Sequence, residues 1–167
     1  MRSPDSVEGA IAENRFLAQQ YEARVLVIER GGVPLGFGSM SEFQAFGWET
    51  RSALARSGNA DAEPYLRGSA VTGYNYRTGA AFDVGRVSDY DLAVVSPRLL
   101  ARAVELGVQT RGRGSRTEPL DEPQMRELGL WETISQIRRK TGRAHSNFVV
   151  HRDTESLRDR GPNLKLP

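Results

Sequence analysis

Apolar residues recur at helical spacing at the start of the chain. Val7, Ala10, Ile11, Leu17, Ala18 and Tyr21 form one stripe with Glu and Arg between them, which predicts an amphipathic helix over residues 6–23. Arg24–Arg30 (RVLVIER) is short and β-branched and runs into Gly31-Gly32-Val33-Pro34. This predicts a strand pairing with Leu35–Gly38 as a hairpin. Ser41, with Gln44 three residues on, reads as a capping box for a second helix. Phe43, Phe46, Thr50 and Leu54 share its inner face, and Gly58 ends it. Pro64–Arg67 predicts a short strand entering Gly68-Ser69, and residues 70–87 a Gly- and Tyr-containing loop without helical period. Asp89–Val95 (DYDLAVV) predicts a strand. Ser96-Pro97 then opens a helix over 97–106, with Leu99, Leu100, Ala103 and Val104 inside. Beyond an arginine-rich loop (Arg111–Arg116) come a short helix around Pro123–Leu128, another over Trp131–Lys140, and a last strand, Ala144–His151. Residues 153–167 read as a charged tail.

This order predicts an α/β (α+β) domain over residues 1–152, a small mixed sheet flanked by helices on at least one face. Residues 1–40 form its N-terminal helix and hairpin extension. A chain of 167 residues, 38% hydrophobic with 17 glycines, suits one ordered domain with a modest core. No apolar run exceeds four residues, so neither a membrane-spanning helix nor a membrane partner is predicted. Met1-Arg2-Ser3-Pro4-Asp5 leads into no apolar stretch, so no signal peptide is predicted. The expected site of action is cytoplasmic, reached if necessary as part of a larger secreted protein. With no cysteine, disulfides, thiolate zinc centres and cysteine nucleophiles are excluded. The formal charge of +2 hides an asymmetry, −3 over residues 1–97 against +5 over residues 98–167. Of 23 cationic side chains, all but Lys140 and Lys165 are arginine, whose planar fork binds phosphate in bidentate fashion.

The chemistry-bearing unit is Gly68-Ser69 followed, across a long loop, by Ser88-Asp89-Tyr90-Asp91-Leu92. Acids two apart on a strand project from one face, roughly 6–7 Å apart along it. Carboxylate oxygens suit Mg²⁺ or Mn²⁺, and Mg²⁺ takes one or two protein carboxylates and completes its shell with water and substrate phosphates. A Gly-Ser turn at a strand end offers bare backbone N–H groups and a hydroxyl, a phosphate cradle. Together they predict a site for a metal-bound triphosphate.

Gly68-Ser69 with Asp89-Tyr90-Asp91 resembles the signature of the polymerase-beta-type nucleotidyltransferase superfamily. More narrowly, Arg67–Gly73, Arg77-Thr78-Gly79, Phe82–Arg86 and Ser88–Asp91 are similar to the nucleotidyltransferase-like domain of bacterial polymorphic toxins. Leu106-Gly107-Val108, Arg116–Leu120 and Leu128-Gly129-Leu130 extend the likeness over roughly residues 41–151. The resemblance implies that Gly68 and Ser69 grip the phosphates of an NTP, that Asp89 and Asp91 hold Mg²⁺, and that Ser69, Asp89 and Asp91 serve catalysis. It implies transfer of a nucleoside monophosphate to an RNA end, tRNA included, or to a protein hydroxyl, with a cognate immunity protein as partner. The alternative is a catalytically inactive module of this fold that binds nucleotide, RNA or a cognate protein. Ser69 and Asp89 lie twenty positions apart where the superfamily commonly has about ten residues, so residues 73–86 are expected to form a flap from which Arg77 or Arg86 reaches phosphate. The superfamily's third carboxylate falls to Asp83 or Asp153, is replaced by Asn147, or is missing.

Weaker signals remain. Arg111, Arg113 and Arg116 suit phosphate or RNA contact, or a solvated loop. Arg138, Arg139 and Lys140 end a helix, where the dipole alone favours cations. His145 and His151 read as surface histidines on one strand. Tyr74 and Tyr76 either stack a base or pack the loop. Trp48 and Trp131 are expected in the core.

Overall fold

A computed structural model describes residues 7–167. The expected start of the first helix at residue 6 lies outside the described residues. The chain forms helices α1 (Val7–Glu29), α2 (Met40–Arg56), α3 (Ser69–Thr72), α4 (Pro97–Glu105), α5 (Glu122–Glu127), α6 (Trp131–Thr141) and α7 (Thr154–Arg158). The strands are β1 (Glu63–Arg67), β2 (Asp91–Val95), β3 (Thr110–Arg111), β4 (Arg116–Thr117), β5 (Asn147–His151) and β6 (Asn163–Lys165). They make one mixed six-stranded sheet in the order β3-β4-β5-β2-β1-β6, antiparallel except for the parallel pair β2–β5. This is the α+β architecture expected.

Strand alternation separates two faces. Leu66, Leu92, Val94, Phe148 and Val150 point into the main core with Phe43, Leu54, Leu99, Met125, Leu130 and Ile134 from the helices. Tyr65, Ala93 and Val95 point the other way and meet Leu157 of α7. One face is thus thickly covered, while among the described residues the other is covered by the short helix α7.

Several expectations are corrected. Arg24–Arg30 is not a strand, and no hairpin forms: α1 continues unbroken to Glu29 and ends at Gly31 (φ +67°), with Gly32 N–H bonded to Val27 C=O at 2.7 Å. Nothing breaks the helix before Gly31, and the β-branched run simply continues it. The cap of α2 is Ser39 rather than Ser41: Ser39 Oγ accepts the Glu42 N–H, and Glu42 reaches back to Gly38 N–H. Val104 is 54% and Trp48 70% exposed, so neither is core, and Trp131 is half-buried with the Arg126 guanidinium 4.2 Å from its ring. The arginine-rich loop closes into the β3–β4 hairpin. The expected tail is structural: α7 lies on the sheet, β6 pairs with β1, and Leu166 is buried in the core. Arg51 holds the end of the chain through the Leu166 and Pro167 carbonyls.

Candidate functional site

β1 and β2 run antiparallel with Arg67 opposite Asp91. The turn leaving β1 and the residues entering β2 therefore meet at one end of the sheet. Gly68 makes the meeting possible. Its φ of +71° with ψ −148° is open essentially to glycine, and a Cβ there would collide with the Asp91 carboxylate. Asp91 thus lies directly against the backbone of the Gly68-Ser69 turn. The N–H groups of Ser69 and Ala70 open α3, where no intrahelical acceptor exists for them. The Gly68 carbonyl accepts from Val71 and Thr72 and holds the turn closed.

The acid pair is aimed by the residue between its members. Tyr90 is buried, stacked on Phe37 at 5.2 Å between centroids, and its N–H donates to Ser146 Oγ. With Tyr90 facing the main core, Asp89 and Asp91 face the thinly covered side. Asp89 Oδ1 accepts the His145 N–H at 3.0 Å. Solvent reaches the Asp91 carboxyl from one side while protein crowds the others. This crowding raises its pKa, with Arg67 opposing and Asp89 adding to the rise.

Asn147 of β5 stands in parallel register with Asp91, on the same face and half-buried. The two carboxylate alternatives lie elsewhere. Asp83 receives both ends of the Arg143 guanidinium, at 2.7 and 2.8 Å, and the Ser88 N–H, and the Arg143 hydrogen bonds hold its carboxyl below the usual range. Asp153 caps α7 past the far end of β5 and bonds Ser156 N–H and Arg152. Of the three residues considered, only Asn147 adjoins Asp91. Among the described residues no three His, Cys, Asp or Glu side chains gather as a metal centre. A donor set at this end of the sheet would consist of the two carboxylates and the Asn147 amide oxygen. These hard oxygens fit a Mg²⁺ or Mn²⁺ ion that fills its shell with water and phosphate.

Arg77 and Arg86 are exposed on the 73–87 loop, and among the described residues neither side chain is tied to the turn or to the acids. The loop is anchored at its middle by buried Phe82 and by the Asp83–Arg143 pair. Tyr76 is 82% exposed and Tyr74 half-buried. His145 is exposed in a turn before β5, whereas His151 is wholly buried, correcting the expectation for it. His151 Nδ1 is 3.0 Å from Ser156 Oγ, and burial, reinforced by Arg67, Arg116 and Arg160, pushes its pKa down to about 4. Arg67 went unremarked as a site residue, although alternation past Tyr65 toward Gly68 already places it on the face of the acids.

A cleft of about 520 Å³ opens between the end of α2, α4 and α5. Its arginines are answered internally: Arg98 by Asp61, Arg102 by Glu105, Arg126 by Glu122. Among the described residues it offers no free cation or reactive pair, so the end of β1–β2 is the better candidate. No family model, curated protein or solved structure matches this chain.

Proposed function

We propose that the protein is a divalent-metal-dependent nucleotidyltransferase that moves a nucleoside monophosphate from an NTP onto an RNA end or a protein hydroxyl, as a bacterial toxin domain countered by a cognate immunity protein. The observation that carries this reading is the contact of Asp91 with the side-chain-free Gly68. It sets a pair of carboxylates beside a turn whose first N–H groups and Ser69 hydroxyl are suited to phosphate oxygens. In this reading Gly68 and Ser69 hold the β- and γ-phosphates, Asp89 and Asp91 hold Mg²⁺, and Asn147 contributes its amide oxygen. A bound ion would supply charge neutralisation on the phosphates and lower the pKa of a coordinated acceptor hydroxyl. The acceptor oxygen bonds the α-phosphorus, the bond to the β-phosphate oxygen breaks, and pyrophosphate leaves while the hydroxyl proton passes to solvent. The chain's contribution is to position the groups and neutralise charge.

The test is transfer of label from each of four α-labelled NTPs into a bacterial lysate with Mg²⁺, followed by separation of RNA from protein. Asp89→Ala and Asp91→Ala should each reduce incorporation at least about 100-fold, as loss of a central electrostatic group commonly does. Folded wild-type protein that labels nothing with any of the four overturns the proposal.

A second reading, a module of the same fold that binds nucleotide, RNA or a partner without turnover, is favoured by Asn147 standing where a third carboxylate is expected and by Arg67 facing Asp91. Growth inhibition on expression in a bacterium separates the two. Asp89→Ala abolishes it for an enzyme and leaves it intact for a binding module.

A further inference from the structure

Among the described residues, the face bearing Asp91 also gathers arginines that no carboxylate pairs with directly, although Asp91 bears on Arg67 and Glu118 on Arg116 through space. Arg67 leaves β1 opposite Asp91, Arg116 of β4 pairs with His151 of β5, and Arg160 follows α7. Among the described residues none of these three guanidinium groups makes a hydrogen bond or ion pair, unlike Arg98, Arg102, Arg111, Arg126, Arg143 and Arg152. They are nonetheless close enough to repel: Arg160 and Arg67 both press the Arg116 pKa down, beyond the effect of burial. Arg116 Nη1 packs so tightly on Gly112 (φ +60°) that a Cβ there would sit 2.8 Å from it.

The His151 ring lies among them wholly buried, its Nε2 without a partner. Asp153, the acid that bears on the His151 ring, is engaged by the α7 cap and Arg152. Arg113 at the hairpin tip and Arg158 on α7 are exposed as well. Arg67 on β1 and Arg116 on β4 have β2 and β5 between them, about 14 Å across the sheet at ~4.8 Å per strand, which exceeds one phosphate group and suits successive phosphates of a chain.

We infer that Arg67, Arg116 and Arg160 form a binding surface for the phosphodiester backbone of a polynucleotide, which makes RNA rather than a protein the acceptor. This identification of the acceptor rests on the nucleotidyltransferase reading; the binding surface does not. Arginines hold the backbone, so affinity is steep in salt and tolerant of sequence.

The experiment measures binding of a fluorescein-labelled mixed-sequence 15-nucleotide RNA by anisotropy, with EDTA and no NTP, across a salt series. Wild type should bind with a log–log salt slope that falls by about 1 for each arginine removed. Arg116→Gln with Arg160→Gln should weaken binding by roughly tenfold or more at low salt, and Arg160→Gln alone, at an exposed position, should weaken it measurably. Arg102→Gln on α4 should bind as wild type. Undiminished binding by Arg160→Gln and by the folded double variant overturns the surface, as does displacement of RNA by tripolyphosphate at equal phosphate concentration. RNA binding without any nucleotide transfer leaves the surface standing and removes the enzymatic reading. Transfer into protein alone, with RNA unbound, does the reverse.

Discussion

Gly68 answers to two separate constraints, and they can be measured apart. One is the backbone: φ +71° with ψ −148° strains any residue with a side chain. The other is the neighbour, since a Cβ would enter the space of the Asp91 carboxylate. Gly79 has a similar φ of +69° with nothing within 4 Å of where its Cβ would go, so it isolates positive φ in open space. Gly79→Ala should cost about 1 kcal/mol, the usual penalty for left-handed backbone. Gly68→Ala should cost about 3 kcal/mol by urea denaturation and abolish transfer. Asp91→Ala in the same chain should restore part of the stability but none of the activity. Strict additivity of the two substitutions would show that the contact is unimportant. At this scale the sequence was informative, because a Gly-Ser turn and two alternating acids carry their chemistry in residue type and spacing. The fate of Asp83 and Asp153 was not legible, since both are claimed by partners, Arg143 and the α7 cap, fixed only in three dimensions.

Elements followed the sequence where their signals were local. Ser96-Pro97 opens α4 as its adjacent residues predict, and a short helix forms at Glu122–Glu127 close to the expected Pro123–Leu128. Signals failed where tertiary pairing decided. The run Val25–Ile28 has strand composition but no strand beside it, and α1 absorbs it. The residues of β6 have no strand period, yet β1 offers an unpaired edge that they complete. Arg143 shows the same dependence on the tertiary fold. It lies before β5, 6% exposed, with its guanidinium 4.8 Å from the Phe82 ring and 4.5 Å from the Tyr90 ring. It fixes the 73–87 loop through Asp83 and the Ser88 carbonyl. Arg143→Lys keeps the charge but loses the bidentate fork. The variant should lose about 2 kcal/mol, less than a fully buried pair because the Asp83 side chain is 39% exposed. Limited trypsin digestion should then cut after Arg77 and Arg86 several-fold faster, whereas Lys140→Ala leaves both rates alone. Equal cleavage in wild type and Arg143→Lys would mean that the loop is held by Phe82 without the ion pair.

At the scale of the whole molecule, the C-terminal residues complete the sheet, with β6 on the β1 edge and α7 lying on the thinly covered face. That face holds His151 neutral. Burial and three nearby arginines disfavour its charged form, and its pKa falls to about 4 from an ordinary 6.5. The sign follows from proton counts. Between these two values the unfolded chain binds a proton at His151 and the folded chain does not, so acid favours unfolding. The contribution is complete above pH 6.5 and is lost as pH falls toward 4, amounting to about 3 kcal/mol across that window. Asp61, Glu63, Asp83 and Asp153 have pKa values lowered by their partners, so their stabilisation is lost further into acid, as each is protonated. Asp91 acts in the opposite direction, because its raised pKa lets the folded state take up a proton sooner. Urea unfolding at pH 7.5, 6.5, 5.5 and 4.5 should therefore show wild-type stability falling with a slope approaching one proton. His151→Leu should flatten that limb whatever its stability at neutral pH, since the titrating group is gone. An unchanged slope in His151→Leu would mean that the ring is protonated in the folded state, and that the surrounding arginines stand farther from it than their effect on its charge requires.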